Sequence, residues 1–328
     1  MPIIFALIAL LCPPAVADDW VEDRWSLGPT PRLQVYGTYD LSEFEPALRF
    51  FVESSGLGVD YYVANSRDLD VQIVQPQRKG VDVVFSSALD LQMKATNDGF
   101  AKRFAQPGDL QWRGALFQIS LEPIVSVFNT DLIPWASNVT DRADLARRLR
   151  ARTQGLPGGA TLYDPQISGL GYLLSTQDSE QSDTFWELLA AFSEFGLSPQ
   201  CCSSDMLKRV ALGQSALAYN VLESYALDQV SFNPDLEILR FADYQLVVPR
   251  TAWVPRGSER SDEAFAFIEF LRGSGQQQLP LRNRLQQLSS EQRAPLKPIR
   301  LSPALILYLD DYKQRRFMRQ WRRSTSAD

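Results

Sequence analysis

The chain contains no histidine. That one absence removes Ser-His-Asp triads, His-ligated zinc, HExxH sites and proximal-His haem. Cysteine is scarce too. Three occur, at 12, 201 and 202, and no C-x-x-C spacing exists, so a zinc ribbon or a Cys-ligated cluster is excluded. G-x-G-x-x-G, G-x-x-x-x-G-K-[ST] and G-x-S-x-G are all missing, which removes the dinucleotide, phosphate-loop and serine-hydrolase signatures. Lysine is limited to six residues, so a Ser-Lys pair is the one histidine-free nucleophile route left, and a thin one. Net charge is −6 and the pI is near 5.0, whereas nucleic-acid binders are usually basic. What remains is a chain of 328 residues, 45% hydrophobic and 22% charged. That is globular composition, with length for about two domains.

Only one long apolar run is present. Residues 3–11 read Ile-Ile-Phe-Ala-Leu-Ile-Ala-Leu-Leu, then Cys12-Pro13-Pro14 and Ala15-Val16-Ala17, then Asp18-Asp19. A short apolar core, a helix-breaking proline pair and A-x-A predict a signal peptide over 1–17, cleaved after Ala17. The run is too short to span a bilayer, which needs roughly 20 apolar residues. No Lys or Arg precedes it, and the residues before Cys12 lack the small side chain usual next to a lipidated cysteine. The expectation is an exported, soluble, periplasmic protein.

The rest alternates short apolar strands with amphipathic helices. Strands are predicted at 33–36, 59–63, 81–85, 121–128, 161–163, 216–219 and 244–248. Helices are predicted at 43–54, 88–95, 142–152, from 172, and at 183–194, 203–212 and 264–271. Strand–helix alternation implies βαβ units and a largely parallel sheet. The pattern changes after about residue 125 and returns after about 230. This predicts an α/β clamshell, with one lobe from 18–125 and 231–328, the other from 126–230, hinge crossovers between them, and a ligand in the cleft at the strand ends.

Several segments carry a resemblance: Gly80-Val-Asp-Val-Val-Phe-Ser-Ser87, Glu122-Pro-Ile-Val-Ser-Val-Phe-Asn-Thr130, Thr161-Leu-Tyr-Asp-Pro-Gln-Ile-Ser-Gly-Leu-Gly171, Ala216-Leu-Ala-Tyr-Asn220 and Phe265-Ala-Phe-Ile-Glu-Phe-Leu271. Each is weak alone. In order and spacing they resemble the periplasmic solute-binding proteins of ABC transporters, in the ferric-iron, hexose-phosphate and phosphoglycerate-regulatory branch, over about residues 32–323. The resemblance implies a type II periplasmic-binding-protein fold. It also implies that the segment matching 163–171 bears an anion site at a helix N-terminus. Local physics agrees: Ser168 is a plausible cap, Gly169 and Gly171 permit close backbone approach, and a helix start attracts phosphate or carboxylate. Ser86-Ser87 and Ser203-Ser204 also precede helices. Thr38 and Tyr39, after the first strand, occupy another ligand loop that the resemblance implies.

Iron-binding members use adjacent tyrosines near the second crossover, often with a histidine. The matching segment here, Tyr219-Asn-Val-Leu-Glu-Ser-Tyr225, has no adjacent pair. Tyr219, Asn220, Glu223 and Tyr225 stay as candidate ligand-binding residues, and ligation through tyrosinate and carboxylate stays open. Tyr61-Tyr62 lies on a strand, whose alternation sends the two rings to opposite faces as packing. Cys201-Cys202 in an oxidising compartment could form a vicinal disulfide, pair with another chain or stay reduced. The run 313–323 has six basic residues interleaved with Phe317, Met318 and Trp321. It reads either as a docked terminal helix or as a contact surface for a membrane partner or anionic lipid.

The expected function is noncovalent capture of a small anionic solute, a phosphorylated or carboxylated organic compound, for an ABC permease or a membrane sensor kinase. No catalytic residue, metal, cofactor or nucleic acid is expected, and the protein is expected to be a monomer. The alternatives are a ferric-iron-binding protein, a regulatory partner-binding module of a two-component system, and an exported hydrolase or transferase.

Overall fold

A computed structural model describes residues 19–75, 79–104, 111–152, 155–279 and 294–326. The predicted signal peptide, with Cys12, lies outside these residues. In chain order the elements are β1 (Val21–Leu27), β2 (Leu33–Gly37), α1 (Leu41–Ser55), β3 (Val59–Ala64), α2 (Ser66–Ile73), β4 (Val83–Ser86), α3 (Leu89–Asn97), β5 (Gln111–Trp112) and β6 (Leu116–Asn129). The chain continues through α4 (Arg142–Arg150), β7 (Ala160–Thr161), α5 (Gly169–Gln181), α6 (Thr184–Glu194), α7 (Ser203–Ala211), β8 (Leu217–Leu222), α8 (Glu223–Phe232), β9 (Leu236–Leu239) and β10 (Gln245–Trp253). It ends with α9 (Ser261–Arg272), β11 (Leu296–Pro298), α10 (Pro303–Ile306) and α11 (Asp311–Thr325).

One sheet path, β1-β3-β2-β4-β10-β6-β8-β7, runs through the molecule. The β3-β2-β4 set is parallel, as strand–helix alternation requires, and so is β7-β8. The two long strands between them run antiparallel: β10 against β4, β6 against β10, and β8 against β6. The parallel pairing read from the pattern therefore holds in β3-β2-β4 and β7-β8, and antiparallel pairing takes over at the edge strand β1 and where the chain crosses. The crossover is visible on β6. Its first half pairs with β10 up to Pro123 opposite Val247, and its second half pairs with β8 from Ile124 opposite Leu222.

Two apolar cores follow from this layout. One packs α1 and α9 on the first wing through Phe44, Leu48, Phe51, Phe267 and Ile268. The other joins α2 and α3 to the second wing through Leu69, Met93, Leu170, Leu173 and Phe192. The C-terminal helix α11 buries Phe317 and Trp321. The Phe317 ring sits 5.5 Å from Tyr172 on α5 and 5.3 Å from Trp186 on α6. Its apolar stripe is thus a docking face. The ring contacts of Phe317 are thus with helices of the second wing.

Candidate functional site

Strands of both wings end at a common cleft, and the loops leaving them open helices there. Glu22, Thr38, Asp40, Asn65, Ser66, Ser87, Tyr163, Ser168, Cys201–Cys202, Ser203, Ser204 and Tyr225 line it around an accessible volume of ≈ 50 Å³. Helices α1, α2, α3, α5 and α7 all begin at these residues or beside them. Such starts present unpaired N–H groups and partial positive charge.

Each loop is built by local rules. Gly37 ends β2 where a Cβ would come 2.7 Å from the Tyr61 hydroxyl, so only glycine lets the chain pass. That hydroxyl then accepts from Tyr39 N–H at 3.2 Å and donates to Tyr39 C=O at 2.9 Å, fixing the turn that carries Thr38 and Asp40. Thr38 Oγ1 is buried and has no partner among the described residues. Ser168 caps α5, accepting from Gly171 N–H at 3.0 Å, so the helix starts at Gly169 rather than at 172. Ser203 Oγ accepts from Leu222 N–H at 3.1 Å and lies 2.5 Å from the Tyr163 hydroxyl. Cys201 and Cys202 form a disulfide just before α7. With both sulfurs so used, the nearby trio Cys201, Cys202 and Asp205 offers no thiolate to a metal.

The two wings touch through hydrogen bonds at the cleft. Asp40 N–H donates to the Tyr225 hydroxyl at 3.1 Å, and Leu170 N–H donates to Ser66 Oγ at 3.1 Å. A Cβ on Gly169 would meet Leu91 Cδ1 at 2.8 Å, so glycine permits this approach. The arrangement is closed.

Charge in the cleft is mixed. Burial raises the Glu22 and Asp40 carboxyls above the usual carboxylate range, and Asp205 nearby adds to both shifts. Behind them lies Arg250, fully buried on β10. Its Nε–H donates to Glu122 at 2.8 Å and its guanidinium stacks 3.5 Å from the centre of the Tyr39 ring. Both terminal nitrogens, Nη1 and Nη2, lack a partner among the described residues. The positive charge of Arg250 acts on the cleft-lining Asp40, Tyr163 and Tyr225. Tyr39, under the guanidinium, is pushed up to about 12 by its burial.

Of the residues singled out from sequence, Thr38, Ser87, Ser168, Ser203, Ser204 and Tyr225 meet in the cleft. The others do not line it. Tyr39 is buried beneath Arg250. Ser86 is buried and accepts from Ala88 N–H at 3.1 Å. Gly169 faces a neighbouring cavity. Tyr219 and Asn220 turn inward instead, donating to the buried Asp178 at 2.6 and 2.8 Å. Glu223 pairs with Arg240, also away from the cleft. Sequence reasoning missed Glu22, Asp40, Ser66, Tyr163 and Arg250. Ser66 and Asp40 each begin a helix after a strand, the same signal that picked the other serines. Arg250 announces itself as a lone charge in the apolar stretch 246–254, a position that demands a buried partner. Glu22 has no such signal.

No protein-family model and no curated protein sequence matches the chain. Solved structures do. The substrate binding protein of the ABC transporter from Agrobacterium tumefaciens superposes with a TM-score of 0.83 at 27% identity, covering 93% of this chain and 98% of that one. Iron-bound HitA from Pseudomonas aeruginosa gives 0.65 at 17% identity, over 90% of this chain and 99% of its own. The periplasmic binding protein AfuA from Actinobacillus pleuropneumoniae, with fructose-6-phosphate bound, gives 0.65 at 14%, over 90% and 99%. The fold is thus that of the type II periplasmic binding proteins, and the chain is similar to periplasmic substrate-binding proteins of ABC transporters. No helix among the described residues is long and apolar enough to cross a membrane.

Proposed function

We propose that this protein is an exported, monomeric solute-binding protein. It captures a small solute carrying a phosphate or carboxylate and presents it to an ABC permease. Residues 18–125 with 231–310 form one lobe, and 126–230 with the docked α11 form the other. The switch of β6 partners at Pro123/Ile124 supports that division. Ligand is held at Thr38, Ser66, Ser87, Ser168, Ser203 and Ser204, with Tyr225 closing the cleft over it through Asp40.

The observation that carries this reading is the convergence of uncapped helix starts on a cleft backed by Arg250. Helices α1, α3 and α7 have no side-chain cap, and two guanidinium nitrogens behind the cleft are without an acceptor. A group that binds there meets the uncapped helix starts and lies in the field of the Arg250 charge, which acts on the cleft-lining Asp40, Tyr163 and Tyr225. The space of ≈ 50 Å³ takes the anionic group of such a solute, so a larger body enters only if the lobes part.

The ferric alternative would draw on Tyr163, Tyr225, Glu22 and Asp40. Burial raises both phenols above their usual range, which works against the tyrosinates that ferric ion needs. Adding ferric citrate is therefore expected to give no visible charge-transfer band.

A thermal-shift screen with phosphosugars, phosphoglycerates, dicarboxylates and ferric ion identifies the ligand class. Calorimetry on Ser168→Ala then tests the site. Losing one hydrogen bond to a charged group, about 1.5–3 kcal/mol, lowers affinity roughly 10- to 150-fold. Ser168 also caps α5, so melting of the free variant is measured alongside. Unchanged affinity overturns the site.

A further inference from the structure

Beside the cleft lies a larger cavity of ≈ 200 Å³, between α2 and α3 on one side and α5 with the start of α11 on the other. Its walls are apolar: Val71, Leu91, Phe100, Tyr172 and Leu309. Val71 and Phe100 are 49% and 38% exposed, so apolar surface continues outward from the cavity. One wall group breaks the pattern. Asp70 is 6% exposed and sits among these residues.

The surroundings of Asp70 fix its chemistry. The Trp253 indole N–H donates to Gln92 Oε1 at 2.6 Å, so Gln92 must turn its NH₂ the other way. That NH₂ donates to Asp70 Oδ1 at 2.5 Å. Asp70 Oδ2 has no partner among the described residues, and Asp90, which is 1% exposed, is met only by the backbone N–H groups of Leu91 and of Asp90 itself at the start of its helix. Asp90 acts on Asp70 and on Tyr172, so its charge reaches the cavity. The basic side chains of the lining do not compensate the two acids: Lys94 pairs with Asp98, and no ion pair among the described residues joins Arg67 to Asp70 or Asp90. With no cation beside them, two buried acids are held toward the neutral form, and a cation that enters favours ionisation of the one it meets.

The geometry points to an accessory binding site for a small organic cation, an apolar body bearing one ammonium, with the ammonium beside Asp70 and the body between Phe100, Leu91 and Leu309. The volume is adequate, since an apolar cavity of about 150 Å³ accepts benzene. An occupant would touch elements of both wings. Gly169 lines this cavity while its neighbours Ser168 and Leu170 line the cleft, so filling one favours the arrangement that forms the other.

Calorimetry on the full mature protein with benzylamine, and with benzyl alcohol as its neutral near-isostere, tests this. Benzylamine is expected to bind one-to-one and at least about tenfold more tightly than the alcohol. Asp70→Asn keeps the shape and removes the charge, and is expected to erase that preference. Val71→Lys, at the exposed rim, places a competing cation at the cavity and is expected to abolish benzylamine binding without unfolding α2. Equal binding of amine and alcohol, undiminished amine binding in either variant, or no amine binding at millimolar concentration each overturns the proposal.

Discussion

Two arginines are buried among the described residues, and they are treated differently. Arg142, in the second wing, is saturated. Its Nε–H donates to Tyr219 at 2.8 Å, and its Nη1 donates to Asp243 at 2.8 Å and to the Tyr244 carbonyl at 2.9 Å. Tyr219, Asn220 and Tyr244 all donate to Asp178 beside it. No buried side-chain polar atom of this cluster lacks a partner among the described residues. Arg250, at the crossing, has a single carboxylate, Glu122, which Ser224 also engages, and two bare nitrogens. A closed network of this kind holds a core in one arrangement, whereas an open one keeps unspent capacity for a ligand. The difference separates scaffold from site better than residue type does, since Tyr219 belongs to the closed network and Tyr225 to the cleft although they are six positions apart in sequence.

The largest effect should come from breaking the saturated network. Asp178→Ala strands Arg142, Tyr219, Asn220 and Tyr244 in the core, a loss of about 3–5 kcal/mol. Denaturant melts should show the drop, while protein that remains folded keeps its ligand affinity. A stable variant, or one that folds normally but cannot bind, would put this cluster in the binding machinery after all.

That cluster also shows where the sequence stops informing. Strands such as Val59–Ala64 and helices such as Thr184–Glu194 were legible, because apolar spacing is local. So were the serines at helix starts, since a hydroxyl before a helix is local too. Strand β1 was not. Its stretch Val-Glu-Asp-Arg-Trp-Ser-Leu is polar, and it is a strand because it edges β3. Tyr219 and Asn220 turn inward on β8, which is buried throughout, so alternation cannot tell cleft from core there. Their partners Arg142, Asp178 and Tyr244 are dozens of residues apart in the chain. The antiparallel crossing of β6 and β10 has the same cause, pairing Glu122 with Val248.

The acids behind the accessory cavity are the negative counterpart of Arg250, and pH probes them. Burial raises Asp90 to about 7 and raises Asp70 further above the carboxylate range with help from Asp90. Tyr172 faces Asp90 from α5, and Arg67 acts on Tyr172 from α2. A carboxyl whose folded pKa is raised holds its proton in the native state where the unfolded chain has lost it. The Asp90 contribution to stability therefore falls as pH rises from about 4 and levels off above about 7, by up to roughly 4 kcal/mol. Asp90→Asn should flatten that slope, gaining stability at alkaline pH and little at acid pH. An equal gain at both ends would assign the effect to packing instead of ionisation.

Between the two arginines, a matched pair of substitutions sharpens the contrast. Lysine keeps the charge and loses the planar fork. Arg250→Lys should lower affinity for the anionic ligand roughly 10-fold or more, the range of one charge-assisted hydrogen bond. Arg142→Lys should lower the melting temperature and leave affinity where it was. If both behave alike, the bare nitrogens of Arg250 are no reserve for a ligand.

The smallest effect tests whether closure itself belongs to binding. Tyr225 accepts from Asp40 N–H and so ties α8 to the start of α1 across the cleft. Tyr225→Phe removes a single neutral hydrogen bond, about 0.5–1.5 kcal/mol. Where that loss appears depends on when the bond exists. If free protein is already closed, melting of the free protein falls and affinity changes little, because the bond is present before and after binding. If free protein is open, the bond forms only on closure, so melting stays put and affinity falls roughly 2- to 10-fold. The second pattern is expected. The accessible space of ≈ 50 Å³ is too small to admit a phosphorylated or carboxylated solute without the lobes parting. Unchanged melting together with unchanged affinity would mean that the Asp40–Tyr225 contact has no share in closing the cleft, and the comparison would then rest on Arg250 alone.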